Sequence, residues 1–210
     1  MDFPAMQDCI FEFSDDPEGA GLPRCYRQPL WEALLSALPW LIDETHLAVH
    51  PLKLIETVGL GPDTPSVYRL GHRGRLILRL PEVRLGEAQT LSGQVLTLGA
   101  ARVQVGSASL RPLSPAQTLS AAGVAMGALG EDERWFSDAV SAERESLGIQ
   151  GQVIIGRQKA LDADISRFGY PVVIHGLSPQ DSIRLQCAGL GRARHLGCGV
   201  FVPYKTIRGL

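Results

Sequence analysis

The residues best suited to chemistry stand near the end of the chain: Gly189-Leu190-Gly191-Arg192-Ala193-Arg194-His195-Leu196-Gly197-Cys198-Gly199, then the apolar Val200-Phe201-Val202 and Pro203-Tyr204-Lys205. Four glycines surround two arginines and a histidine. Glycine permits φ > 0 and lets a ligand approach the main chain. Arginine forks match phosphate oxygens. Such a loop suits a polyanion; its plainer use is a flexible turn before an edge strand. Arg192 and Arg194 stand two apart, so an extended backbone would turn both to one side. The stretch fails as a dinucleotide fingerprint. Gly189-x-Gly191 reaches Arg194 where a third glycine is required, and too little chain follows for a βαβ unit. No Gly-Lys-Ser/Thr ends it, which excludes a P-loop.

A second basic run, Arg69-Leu70-Gly71-His72-Arg73-Gly74-Arg75, precedes an apolar strand pattern. The histidines are His46, His50, His72, His175 and His195. His195 lies among the glycines, whereas His50 stands before Pro51, where ordering the chain competes with catalysis. No nucleophile-elbow pattern is present, and no acidic cluster has metal-ligand spacing. Cys9, Cys25, Cys187 and Cys198 are scattered without a Cys-x-x-Cys, so neither a zinc motif nor a disulfide framework is expected. No cofactor is expected.

These residues must be positioned by elements that the patterning marks out. Residues 9–13 read as a strand. Residues 28–41 read as a helix with Pro29 in its first turn and Leu30, Leu34, Ala37, Leu38 and Leu41 on one side, ended or kinked at Pro39. Residues 48–58 read as a strand broken at Pro51, 59–63 as a loop, and 75–80 as a strand. A short helix over 82–91 and strands over 93–98 and 102–110 complete a β-α-β-β-α-β order. After the prolines at 112 and 115, the order repeats. Strands are expected at 119–126, 152–155, 172–176 and 200–202. A helix is expected at 132–147, with Trp135, Val140 and Leu147 facing the core and Gly148 as its stop. Another starts at Ser178 as N-cap with Pro179 at N1 and stops at Gly189. The fold class is therefore α+β: two tandem ferredoxin-like (RRM-like, βαββαβ) halves, residues 1–111 and 112–210, the second carrying the glycine-rich loop.

A chain of 210 residues with 20 Lys+Arg against 22 Asp+Glu, net charge −2, is not an indiscriminate electrostatic binder of nucleic acid. The charge is uneven, however. Residues 1–20 carry Asp2, Asp8, Glu12, Asp15, Asp16 and Glu18 with no base. Residues 190–210 carry Arg192, Arg194, Lys205 and Arg208 with no acid. A local site on a near-neutral protein fits that distribution. The acidic start reads as no signal peptide, and no run of about 20 apolar residues appears, so a cytoplasmic protein is expected.

The segment Gly-Leu-Gly-x-x-Arg-x-Leu-Gly-Cys-Gly-Val-Phe-Val-Pro-x-Lys resembles the C-terminal glycine-rich loop of the CRISPR repeat-RNA endoribonucleases of the RAMP superfamily. Leu38-Pro39-Trp40-Leu41, His50-Pro51-Leu52, Arg75-Leu76-Ile77-Leu78-Arg79-Leu80-Pro81, His175-Gly176-Leu177-Ser178 and Ser182-Ile183-Arg184-Leu185-Gln186 agree in order. The chain is most similar to the compact myxobacterial-type branch, or to a type IV relative. The resemblance implies a metal-independent endoribonuclease. It would recognise a CRISPR repeat hairpin, cut precursor CRISPR RNA by attack of a ribose 2′-hydroxyl, and remain bound beside other effector subunits. A hairpin-binding subunit with little or no activity is the alternative. The implied RNA-binding residues are Arg73, Arg75, Gly189, Gly191, Arg192, Arg194, His195, Gly197, Gly199 and Lys205.

Relatives tend to carry an Asp-His pair after a Leu-Pro at the entry to the first helix. Here Leu22-Pro23-Arg24-Cys25-Tyr26-Arg27 puts Cys25 and Tyr26 at those two positions. The catalytic set implied is therefore Arg24, Tyr26, Arg27 and His50, with arginine stabilising charge where histidine would move protons. Arginine is a poor proton acceptor, and Tyr26 needs a perturbed pKa to serve as one.

Overall fold

The structure, a computed structural model, describes residues 3–16, 19–57, 67–71, 74–127, 132–161 and 168–204. The chain divides into two compact units, Ala5–Pro112 and Leu113–Leu210, the latter joined by Met1–Pro4.

In the first unit, β1 (Met6–Asp15) is longer than its sequence signal and alternates. Cys9, Phe11 and Phe13 are buried on one face. Helix α1 (Arg27–Ala37) buries Leu30, Trp31 and Leu34. It stops because Pro39 disfavours the helical conformation at Leu38, and residues Pro39–Asp43 continue as a 3₁₀ turn. Strand β2 (Ala48–Val49) is brief. The single interrupted strand expected over 48–58 is instead two. The chain leaves the sheet at His50 and Pro51, and β3 (Leu54–Thr57) pairs with β4 (Val67–Leu70) in a separate ribbon. The loop expected at 59–63 lies outside the described residues. Strand β5 (Arg75–Pro81) buries Leu76, Leu78 and Leu80. The short helix α2 (Leu85–Ala88), β6 (Val95–Leu98) and β7 (Ala101–Pro112) follow. The sheet order is β2-β5-β1-β7-β6, antiparallel throughout.

The second unit runs β8 (Thr118–Val124), α3 (Glu133–Ser146), β9 (Gln152–Ile155), β10 (Lys159–Ala160), β11 (Phe168–His175), α4 (Pro179–Ala188) and β12 (Val202–Pro203). Strand β11 pairs with β8, β9 and β10, and β12 closes on the other side of β8. Asp132 caps α3 by accepting from the Arg134 amide at 3.2 Å. The helix meets the core through Val140 and Leu147 as expected but not through Trp135, which is 49% exposed; Phe136 faces in instead. Adjacent residues on a helix stand about 100° apart, so only one of two neighbouring aromatics can face in. Phe136 wins by stacking on Tyr170, ring centroids 4.2 Å apart. Helix α4 starts as expected, with Ser178 Oγ accepting from the Asp181 amide at 3.1 Å. Its buried Ser182 and Gln186 reach back to the start of the unit. Ser182 Oγ accepts from the Ala116 amide at 2.9 Å, and Gln186 Nε2 donates to the Ser114 carbonyl at 2.9 Å. Among the described residues, no helix is long and apolar enough to cross a membrane.

Candidate functional site

Helix α4 ends at Gly189 with φ +69°, and the chain enters the glycine-rich loop. The loop is not extended. Ala193 is left-handed at φ +60°, Arg194–Leu196 form a 3₁₀ turn, and Gly197 is again left-handed at φ +78°. Arg192 is therefore exposed while Arg194 folds back half-buried. Its Nε lies 3.0 Å from where a Cβ on Gly189 would stand. The two arginines do not share the common direction that their spacing suggested.

The glycines let the loop pack on itself. A Cβ on Gly199 would overlap the Leu190 carbonyl, and one on Gly191 would overlap the Ala125 carbonyl. The Gly199 amide donates to Gly123 O at 2.8 Å and the Arg192 amide to Ala125 O at 2.7 Å, tying the loop to the end of β8. The Gly191 amide donates to both carboxylate oxygens of Glu143 on α3, at 3.1 and 3.0 Å. Leu190 and Cys198 are buried, and His195 is half-buried. The result is a rigid pedestal carrying Arg192. Gly199→Ala, at φ +63° with no room for the methyl, is expected to cost more than about 1 kcal/mol. That is a fall of at least roughly 2–4 °C in Tm; an unchanged melting curve would show that the crossing at Leu190 is not tight.

At the entry to α1, Arg24 is exposed and Arg27 half-buried. The Arg27 guanidinium carbon lies 5.7 Å from the centre of the Tyr26 ring. No acid stands in the first turn of α1, and no side chain caps it. Cation and helix dipole therefore reinforce each other there. The Tyr26 side chain is buried. Its hydroxyl accepts from the Leu52 amide at 2.9 Å and donates to the Leu52 carbonyl at 3.4 Å. Tyr26 thus holds the helix entry against the His50-Pro51-Leu52 segment, a tether that no local pattern could announce.

His50 is buried, with Nε2 3.5 Å from Asp8 Oδ1, too far for a hydrogen bond of ordinary geometry, and Nε2 has no hydrogen-bond partner among the described residues. Burial lowers its pKa against the pull of Asp8. Burial alone would raise the Asp8 carboxyl, but the His50 ring and the Arg79 guanidinium outweigh it and hold Asp8 well below the usual carboxylate range. This Asp8–Arg79 pair was not legible as a site, since the two residues lie far apart in sequence. Arg75 is exposed at the start of β5, donating from Nη1 to Gly74 O at 3.0 Å. Arg73 and Lys205, with His72 and Arg208, lie outside the described residues. Among the described residues, no group of three or more His, Cys, Asp or Glu side chains could hold a metal.

Two units of antiparallel sheet with α-helices, the second carrying the rigid glycine-rich loop, make an α+β fold. A solved CRISPR-associated Cas6 protein matches with TM-score 0.68 and 11% identity, covering 95% of this chain and all of that one. A Cas6-related protein from Pyrococcus furiosus matches with TM-score 0.61 and 10% identity, covering 94% and 98%. A RAMP protein described as binding different RNA substrates also gives 0.61 at 13% identity, covering 95% and 100%. In sequence, the Cas6 CRISPR family pattern matches residues 14–206. The CRISPR-associated endonuclease Cas6 of Myxococcus xanthus (strain DK1622) is 30% identical over 187 residues, covering 89% of this chain and 78% of that protein. The chain belongs to the Cas6 family of CRISPR-associated endoribonucleases.

Proposed function

We propose that this protein is a metal-independent endoribonuclease that binds a CRISPR repeat hairpin, cuts precursor CRISPR RNA to leave a 2′,3′-cyclic phosphate and a 5′-hydroxyl, and stays on the product as an effector subunit. The observation that carries this reading is the uncapped, acid-free start of α1 flanked by Arg24 and Arg27. A helix N-terminus beside two guanidiniums suits a phosphate and the charge that develops on it. Arg192 on its pedestal serves as a phosphate contact, with the glycine-loop backbone and His195 beside it; on the first unit, Arg75 is proposed as an RNA contact in its own right. Arg73 and Lys205 are proposed with them on sequence grounds. The sheet orders β2-β5-β1-β7 and β9-β11-β8-β12 support a tandem of ferredoxin-like halves, because each is the split βαβ order. The structurally similar RAMP protein described as binding different RNA substrates supports RNA as the ligand.

A hairpin-binding subunit without appreciable cleavage is the second reading. The specific observation favouring it is that the Tyr26 hydroxyl is engaged by Leu52 and the His50 ring is buried against Asp8. On either reading Tyr26 is proposed as the anchor of the helix entry. One experiment separates them: incubation with a labelled repeat hairpin, with and without EDTA, and analysis of the ends. Cleavage in EDTA to a cyclic phosphate supports the nuclease; tight binding without product supports the binding subunit.

A further inference from the structure

The sheet of the first unit carries a row of charge on the face opposite its apolar core. Cys9 and Phe11 of β1 and Leu78 and Leu80 of β5 are buried on the core face, so Asp8 and Arg79 point the other way. Asp8 pairs in register with Arg79 on one side and Arg111 on the other. Arg111 owes that position to an irregularity in β7. Val103 and Val105 are buried, and an unbroken alternation would carry Arg111 onto their face. The register shifts, however, between Phe11↔Ala108 and Phe13↔Val105, leaving Gly106 and Ser107 opposite Glu12 alone. A bulge of this kind re-aims everything beyond it, since one residue of slip exchanges the two faces. Gly106 is the residue that fits, because a Cβ there would stand 2.8 Å from the Glu12 Cβ.

On that face one carboxylate serves two guanidiniums. Asp8 Oδ1 accepts from Arg79 Nε at 2.8 Å, and Oδ2 from Arg111 Nη2 at 2.9 Å. The trio therefore holds one surplus positive charge. It is presented at one place: the Asp8 and Arg79 side chains are 3% and 1% exposed, whereas Arg111 is 55% exposed. A guanidinium has five N–H donors, so a fork braced through one of them keeps others for a second anion. Bracing by a buried carboxylate also removes rotamer freedom before the anion arrives.

We propose that Arg111 is an RNA-phosphate ligand on the first unit, aimed by the bulge at Gly106 and Ser107 and braced by Asp8. The inference rests on the RNA-binding reading above. The test titrates the full-length protein with a labelled repeat hairpin, 2′-deoxy at the scissile nucleotide, at several salt concentrations. Arg111→Ala is expected to bind roughly tenfold more weakly and to flatten the slope of log K against log salt by about 0.7–0.9. Arg111→Lys should keep the slope. A wild-type protein that does not bind the hairpin overturns the RNA reading itself. Wild-type binding with an unchanged Arg111→Ala slope, at native Tm, overturns this inference alone, whether or not affinity falls. Should Arg111→Ala fail to fold, Arg111→Gln keeps a donor for Asp8, removes the charge and makes the same comparison.

Discussion

A repeat hairpin with a single 2′-deoxy substitution at the scissile nucleotide is expected to bind this protein and to remain uncut. The proposed reaction takes its nucleophile from the substrate, so removing that oxygen removes the reaction and leaves the phosphate contacts in place. On the protein side, Arg24→Ala and Arg27→Ala are expected to slow cleavage far more than they weaken binding. Loss of one preorganised donor to a developing oxyanion costs on the order of 2.7–4 kcal/mol, about a hundred- to a thousandfold in rate. Single-turnover rates at saturating protein, beside equilibrium binding, separate the two effects. Tyr26→Phe should behave differently. It removes the hydroxyl bonded to the Leu52 amide and carbonyl, so it should lower stability by roughly 1 kcal/mol or more and affect cutting only through the position of the helix entry. Native-rate cutting by both arginine variants would move the chemistry elsewhere. Product from the deoxy substrate would exclude the 2′-hydroxyl route.

Asp8→Ala is expected to destabilise the first unit by about 3–5 kcal/mol, the cost of breaking a buried ion pair from one side. It leaves the buried Arg79 guanidinium without the carboxylate at 2.8 Å. The same pair predicts a pH dependence. The Asp8 carboxyl is held well below its ordinary range. Its contribution is complete above the unfolded value of about 3.9 and is lost as the pH falls toward the folded value. The His50 pKa is lowered by burial, so below about pH 6.5 the unfolded chain takes up the proton first, and stability declines from there. Melting curves of wild type and Asp8→Asn should therefore differ by a constant amount at neutral pH and converge below about pH 4. A gap that persists undiminished at low pH would mean that the carboxylate charge contributes little.

What the sequence disclosed were features whose cause is local. Pro39 ended α1 through the residue before it, Ser178 and Pro179 began α4, and Gly189 ended it at positive φ. What it hid depends on residues brought together by pairing. Trp135 and Phe136 are neighbouring aromatics, and the core that assembles around Phe136, Tyr170 included, decides between them. The bulge at Gly106 and Ser107 reverses which side chains of β7 face inward, and alternation read along the strand cannot register a reversal that its partner imposes. At the candidate site, the glycine-rich loop was legible by composition but not its geometry. The φ values that curl it, and the clasp from Glu143 to the Gly191 amide, arise only once α3 and β8 are in place.

The reach of Ser182 and Gln186 back to Ala116 and Ser114 bears on how the protein is made. A nascent chain emerges start first, and domains fold as units in that order. The first unit has all its strands by Pro112. The second cannot close in the same progressive way: β8 pairs with β12, so Ser120 waits for Val202, and the stretch after Pro112 waits for α4. The loop that carries Arg192 lies between those two late closures. On the ribosome, therefore, the first unit can be finished while the second is still an open hairpin of strands, and the pedestal under Arg192 sets only when β12 arrives.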